Sequence, residues 1–165
     1  MIAPILAYTA DEIWESMRHE DSEDSAGVVF NQMPEFTGVN ADEAFTATWD
    51  RIHLIRDVVK KALELARNEK VIGASLDAKV QLFCEGELYD FVKSVEDELA
   101  TVFITSQVEV VNGTGGSFTG EVEGLSVTVL PAEGEKCNRC WSFSDTVGSD
   151  EHHPDVCDRC AAVLG

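Results

Sequence analysis

Positive charge is scarce in this sequence. Twelve lysines and arginines stand against 31 aspartates and glutamates in 165 residues, a formal net charge of −19. Taken whole, such a chain is repelled by phosphate, which argues against a freestanding nucleic-acid binder with the usual basic surface. Long apolar runs are missing too: no stretch reads as a membrane span or a cleavable leader, so a cytosolic protein is expected. Catalytic signatures are equally absent. There is no nucleophile elbow, no His-Glu-x-x-His helix and no nucleotide-binding fingerprint. The glycine-rich stretch Gly113-Thr-Gly-Gly116 lacks the Gly-Lys-Ser/Thr of a phosphate cradle and reads as a hairpin loop. With 31 acidic side chains, carboxylates meet by chance, and no active site is legible.

What is present begins with four cysteines. Cys137, Cys140, Cys157 and Cys160 form two Cys-x-x-Cys pairs separated by sixteen residues. Each pair can turn both sulfurs toward one point, and the loop between them is long enough to close a tetrahedron. Four thiolates fill the coordination sphere of Zn²⁺ and leave no open position, so the site is read as structural. Two disulfides are the competing assignment, but they need an oxidising compartment and leave Cys84 over. A redox Cys-x-x-Cys normally comes singly, beside a βαβ pattern. His152 and His153 stand nearby, but four sulfurs already complete the sphere, and an exposed turn is expected there.

The cations that exist are unevenly placed. Residues 51–80 hold seven basic and four acidic side chains, while 1–50 hold one and eleven, 81–130 one and nine, and 131–165 three and seven. Any polyanion is therefore best tolerated along 51–80.

Periodicity supplies the elements. Thr9 to Glu12 has the capping-box pattern and predicts a helix over 9–18; an acidic loop follows at 19–27, then a short apolar run from Val28 to Met33. Asn40 and Glu43 form a second capping box, opening a helix that runs to about Asn68. Its apolar arc is read as Leu54, Ile55, Val58, Ala62, Leu65 and Ala66, with Arg56, Lys60 and Arg67 gathered on another side. A strand over 78–83, a helical stripe from Leu88 to Leu99, β-rich sequence over 102–111 and a strand over 125–130 complete a small β-α-β-β module. The expectation is an α+β chain with a partly antiparallel sheet.

Three stretches carry a family resemblance. Met1-Ile-Ala-Pro-Ile-Leu-Ala-Tyr-Thr-Ala-Asp-Glu-Ile-Trp14 resembles the helical anticodon-binding domain of the class I synthetases for isoleucine, leucine and valine. Arg56 to Arg67, followed by Ile72-Gly-Ala-Ser-Leu-Asp-Ala-Lys-Val80, is similar to the helix that leads into their C-terminal region. Lys136-Cys-Asn-Arg-Cys-Trp141, His153-Pro154 and Cys157-Asp-Arg-Cys160 resemble the zinc finger ending the bacterial isoleucyl enzymes. The resemblance implies a C-terminal portion of a longer ATP-dependent ligase that joins isoleucine to its tRNA, with the His-Ile-Gly-His and Lys-Met-Ser-Lys-Ser signatures and the editing domain lying elsewhere. It implies a helical anticodon-binding remnant at 1–75, the α/β module at 76–131 and the finger at 132–165. It also implies one structural Zn²⁺, a monomeric cytoplasmic protein with tRNA(Ile) as partner, and no catalysis by this portion alone. Within those motifs Arg56, Lys60, Lys61 and Arg67, with Arg139, Trp141 and Arg159 of the finger, become candidate tRNA contacts. Trp141 has a second reading, as a cap packed over the metal loop.

Two other classes compete. Formamidopyrimidine-type DNA glycosylases end in a related four-cysteine finger, but their N-terminal proline and helix-two-turn-helix are not visible here. A zinc-ribbon module binding a basic protein would suit the acidic surface.

Overall fold

The computed structural model describes residues 2–35, 38 and 42–165, and the chain is α+β. It divides into two compact units, Met1–Asp42 and Glu43–Gly165. In the first, helix α1 (Ala7–Ser16) starts two residues before Thr9. The expected capping box is therefore inside the helix, and the N-cap Leu6 makes no side-chain bond. The apolar run after the acidic loop forms a single 3₁₀ turn, Val28–Phe30. Asp11 accepts the N–H of Val28 at 3.1 Å and the Trp14 indole donates to the carbonyl of Asp24 at 3.1 Å, so α1 holds the second half of the loop and the residue after it. The second capping box falls on Asn40, outside the described residues.

The second unit opens with helix α2 (Glu43–Asn68). Its buried side chains are Ile52, Ile55, Val58, Val59, Ala62, Leu63 and Ala66. The buried arc is thus turned from the one read in the sequence: Leu54 and Leu65 are 61% and 46% exposed, while Val59 and Leu63 take their place. At about 100° per residue these two sets sit on neighbouring arcs, and only the sheet decides between them. Strand β1 (Ala78–Cys84) alternates as expected, with Ala78, Val80, Leu82 and Cys84 buried. The helical stripe after it breaks at Val95 into α3 (Gly86–Ser94) and α4 (Glu96–Phe103). Ile104 then adopts a left-handed conformation, φ 58°, so β2 (Gln107–Asn112) begins five residues later than the β-rich composition suggested.

The sheet order is β2-β1-β4-β3, with β3 at Phe118–Thr119 and β4 at Ser126–Pro131. β1 runs parallel to β2 and antiparallel to β4, and β3 pairs antiparallel with β4. The glycine-rich stretch is consequently not a hairpin loop. It leaves β2 at one edge and delivers β3 to the other, passing the ends of β1 and β4. That path needs glycine at position 116, where an added Cβ would lie 2.5 Å from the backbone nitrogen of Val127.

One core joins Ile55, Val59 and Leu63 of α2 to Val80 and Leu82 of β1, Val92 of α3, Leu99 of α4 and Val127 of β4. The apolar arc of α2 is buried against this sheet and the helices α3 and α4, so residues on both sides of position 75 contribute to one core. The finger keeps a separate small core, Cys137, Val156, Cys157, Cys160 and Ala161. Among the described residues no helix is long and apolar enough to cross a membrane.

Candidate metal centre and nucleic-acid interface

The finger is built on a two-stranded ribbon, β5 (Glu135–Lys136) with β6 (Phe143–Ser144). The first cysteine pair occupies the turn between these strands. Cys137 N–H donates to the Ser142 carbonyl at 2.9 Å, and Trp141 N–H donates back to the Cys137 carbonyl at 2.9 Å. Those bonds fold the knuckle so that both sulfurs point inward. Gly134 enters the ribbon at φ 86°, where a Cβ would meet the Ser144 backbone at 2.5 Å. The second pair stands at the start of helix α5 (Asp158–Leu164), with Cys157 as its N-cap and Cys160 within its first turn. Asn138 N–H to the Asp155 carbonyl, 3.0 Å, joins the two knuckles.

All four sulfurs lie within 4.8 Å of one another. Cys140 Sγ and Cys157 Sγ are 3.8 Å apart. A disulfide requires about 2.05 Å, whereas tetrahedral Zn–S bonds of about 2.3 Å place sulfurs about 3.8 Å from each other. The arrangement therefore fits zinc. Burial pushes the Cys137 thiol up, but the N–H groups of Cys140, Cys157 and Arg139 turned toward it more than offset this and lower its pKa to about 6. Cys157 N–H donates to Cys137 Sγ at 3.4 Å. Burial also opposes ionisation of Cys140, and the N–H of Ser142 overcomes it. At Cys157 burial wins and the pKa rises to about 11. Cys137, Cys140, Cys157 and Cys160 would hold a structural zinc as thiolates, and the ion would supply the positive charge that keeps four sulfurs together. Cys84 is fully buried in the sheet and belongs to the other core.

His152 and His153 form the expected turn. Both backbone N–H groups donate to Asp150 at 2.9 Å, and these bonds hold the Asp150 carboxyl below its usual range.

The candidate RNA contacts divide into two groups. On α2, Arg56 is half-buried and its Nε donates to the Val102 carbonyl at 3.0 Å. Lys60 stands 3.8 Å from Asp57, and Lys61 pairs with Glu121 at 2.7 Å. Arg67 pairs with Glu64 and donates to Ser75 Oγ at 3.1 Å. Each cation of the stripe thus has an intramolecular partner, and the stripe borders the buried arc. In the finger, Arg139 Nη1 donates to Cys160 Sγ at 3.7 Å, and the nearby cysteine sulfurs, Cys140 first, hold the Arg159 pKa above its ordinary value. Trp141 is 63% exposed, so it is not packed as a cap over the metal loop. It holds φ 65°, a left-handed conformation that costs a non-glycine residue about 1 kcal/mol or more.

Some positioning residues carry no signal in the sequence. Arg51 lays its guanidinium 4.2 Å over the Phe91 ring, tying α2 to α3. Ser106 and Gln107 hold the finger and its linker: Ser106 Oγ accepts the Phe143 N–H at 2.7 Å, and the Gln107 amide exchanges two bonds with the Glu133 backbone, at 2.9 and 3.0 Å. A cleft of about 500 Å³ lies between the end of α4 and the finger, bordered by Ile104, Ser106, Phe143 and Arg159.

Residues 134–163 match the family described as "Zinc finger found in FPG and IleRS". Over 99% of its length the chain is 45% identical to the isoleucine–tRNA ligase of Syntrophotalea carbinolica. The same coverage gives 41% identity to that of Geobacillus thermodenitrificans and 42% to that of Geobacter sulfurreducens. The chain spans 18% of the length of each of these relatives. From the first helix to the metal centre, the chain matches the finger-bearing C-terminal region of the isoleucine–tRNA ligases.

Proposed function

We propose that this chain is the part of an isoleucine–tRNA ligase that receives the anticodon arm of tRNA(Ile), and that it performs no ligation by itself. The parent would join isoleucine to tRNA with ATP, using groups outside these 165 residues. Residues 1–75 and 132–165 would supply the RNA-facing parts, and 76–131 the α/β module. The single observation that carries the reading is Trp141. A large aromatic ring is left 63% exposed beside the metal knuckle, on a backbone held in a conformation tryptophan rarely adopts. Aromatic rings so presented serve as stacking platforms for unpaired bases, worth about 1–3 kcal/mol per base.

Arg139 lies two residues before that ring in the first knuckle, and Arg159 lies within the second knuckle. A guanidinium has five N–H donors, so a bond to sulfur leaves others for phosphate. Arg56, Lys60, Lys61 and Arg67 would have to exchange their present partners for phosphate, which makes their contribution smaller and strongly dependent on salt. Lys60 is the readiest: the carboxylate of Asp57 stands 3.8 Å away and both side chains are exposed.

The test is a titration of the zinc-loaded chain with the isoleucine anticodon stem-loop, a stem-loop of another anticodon, and duplex DNA. Micromolar or weaker binding is expected, preferring the isoleucine loop, and Trp141→Ala should weaken it by about 5- to 150-fold. Preference for duplex DNA would favour a glycosylase-like finger. Indifference to all three nucleic acids would favour a protein-binding module. Isoleucine-dependent pyrophosphate exchange by the purified chain would overturn the noncatalytic part of the reading.

A further inference from the structure

We propose that the cavity between α2, α3 and the turn 120–125 is a binding site for a small monocarboxylic acid with an apolar body, its carboxylate held by Arg51. The cavity holds about 320 Å³ and is bordered by Leu54, Val58, Leu88 and Val122, with Arg51 at its wall. That volume is at the lower end of the range of about 300–1,000 Å³ usual for ligand sites, and an apolar lining with few polar groups is their usual chemistry. Its walls are already in place. An added Cβ at Gly120 would lie 2.7 Å from a methyl of Val58, so glycine lets the turn press onto α2. Lys61 then clasps Glu121 of the same turn at 2.7 Å. Leu54 stands exposed at the rim and offers apolar surface to an occupant.

Arg51 sets the charge preference. Arg56, Lys60, Lys61 and Arg67 of the same helix each have a hydrogen-bond or ion-pair partner, whereas Arg51 has none among the described residues. Its guanidinium lies 4.2 Å over the Phe91 ring, which orients it and leaves the N–H donors in its plane for an oxyanion. That planar fork matches the two oxygens of a carboxylate. Three carboxylates also border the cavity. Glu121 is engaged by Lys61, and Asp57 stands 3.8 Å from Lys60. Glu123 has no ion-pair partner among the described residues, so one open cation is balanced by one open carboxylate. Such a wall accepts a single oxyanion, while the net charge of −19 repels a chain of phosphates. The assignment is independent of the RNA reading.

The experiment titrates the zinc-loaded chain with hexanoate and follows the methyl resonances of Leu54, Leu88 and Val122 by NMR. Saturable shifts at millimolar affinity are expected. Hexanamide lacks the charge and acetate lacks the apolar body, so each should bind at least about tenfold more weakly. Arg51→Gln should weaken hexanoate about 10- to 100-fold, the range of a charge-assisted hydrogen bond, and Arg51→Lys should recover part of the loss. Hexanamide should bind Arg51→Gln within about twofold of the parent, which separates loss of the anchor from collapse of the cavity. Lys60→Gln removes a neighbouring exposed cation and should leave hexanoate within about twofold. Equal binding of hexanoate and hexanamide to the parent would overturn the proposal, whatever the variants do. So would a hexanoate titration without saturable shifts. Acetate or inorganic phosphate binding as tightly as hexanoate would overturn it too, since the cation alone would then be the site.

Discussion

Ser106 Oγ accepts the backbone N–H of Phe143 at 2.7 Å while donating to the carbonyl of Leu76 at 2.5 Å. One hydroxyl at the foot of β2 therefore bonds the 3₁₀ turn Ser75–Asp77 that precedes β1 and the second strand of the finger ribbon. With the Gln107–Glu133 pair beside it, the finger is fixed to the sheet by polar contacts and not by a shared apolar core. Polar ties are individually modest, about 1 kcal/mol each, but an orphaned buried partner costs about 1–3.

Ser106→Ala should accordingly destabilise the chain by about 1–2 kcal/mol in denaturant unfolding and increase hydrogen exchange at the Phe143 amide. Zinc content should stay at one per chain, because no ligand is touched. Loss of zinc in Ser106→Ala would show that docking and metal binding are one event.

The finger's own order depends on the metal. Its buried set is five residues, three of them ligands, so little apolar surface is left to hold residues 134–165 without zinc. Cys157→Ser, or exhaustive chelation, should disorder that segment while β1, β2 and β4 keep their amide protection. Structural zinc contributes on the order of 10 kcal/mol to such a finger. A chelated sample whose finger amides remain protected would refute this dependence.

The metal centre was legible because its chemistry is local: two short spacings specify four sulfurs. Element types were legible for the same reason, since β1 alternates and α2 has helical period. What lay beyond reach depended on partners distant in sequence. Leu54 and Val59 are both apolar and both helical, and only the position of β1 and β4 makes one exposed and the other buried. The glycine-rich stretch looks like a hairpin until the strand order places β2 and β3 on opposite edges. Ser106 resembles any serine before a strand. Its importance comes from a ribbon 37 residues later. The arginines of the stripe show the converse: composition finds the cations but not the carboxylates and carbonyls that engage them.

The crossing glycine stretch offers a paired test. At Gly116 an added Cβ would meet Val127 N at 2.5 Å and Ser126 C at 2.6 Å, both backbone atoms that cannot swing aside. At Gly113 nothing lies within 4 Å, though φ is 141°. Gly116→Ala should cost about 1–3 kcal/mol, the usual penalty of overpacking. Gly113→Ala should cost less, from backbone strain alone. If the two alanines destabilise equally, close passage over β4 is not what position 116 requires.

Glu96 provides the pH-dependent element. Its carboxylate pairs with Lys93 through one oxygen and accepts the Val110 N–H at 2.9 Å through the other. Val110 is on β2, an edge strand, so this bond covers a donor that would otherwise be open to another chain. The Lys93 ammonium is the main cause that lowers the Glu96 pKa, burial opposes it, and the Val110 N–H adds to the lowering. A carboxylate whose pKa is lower folded than unfolded stabilises the protein above its unfolded value, about 4.3. That stability is lost as pH falls through the folded value. Gln at position 96 keeps an acceptor for Val110 but not the charge. Unfolding free energies of the parent and Glu96→Gln should therefore differ by about 1–2 kcal/mol at pH 7. The gap should close as pH falls through the lowered folded value, where the parent's carboxyl also becomes neutral. A difference that stays constant from pH 7 to pH 3 would mean that shape, and not charge, is what Glu96 contributes.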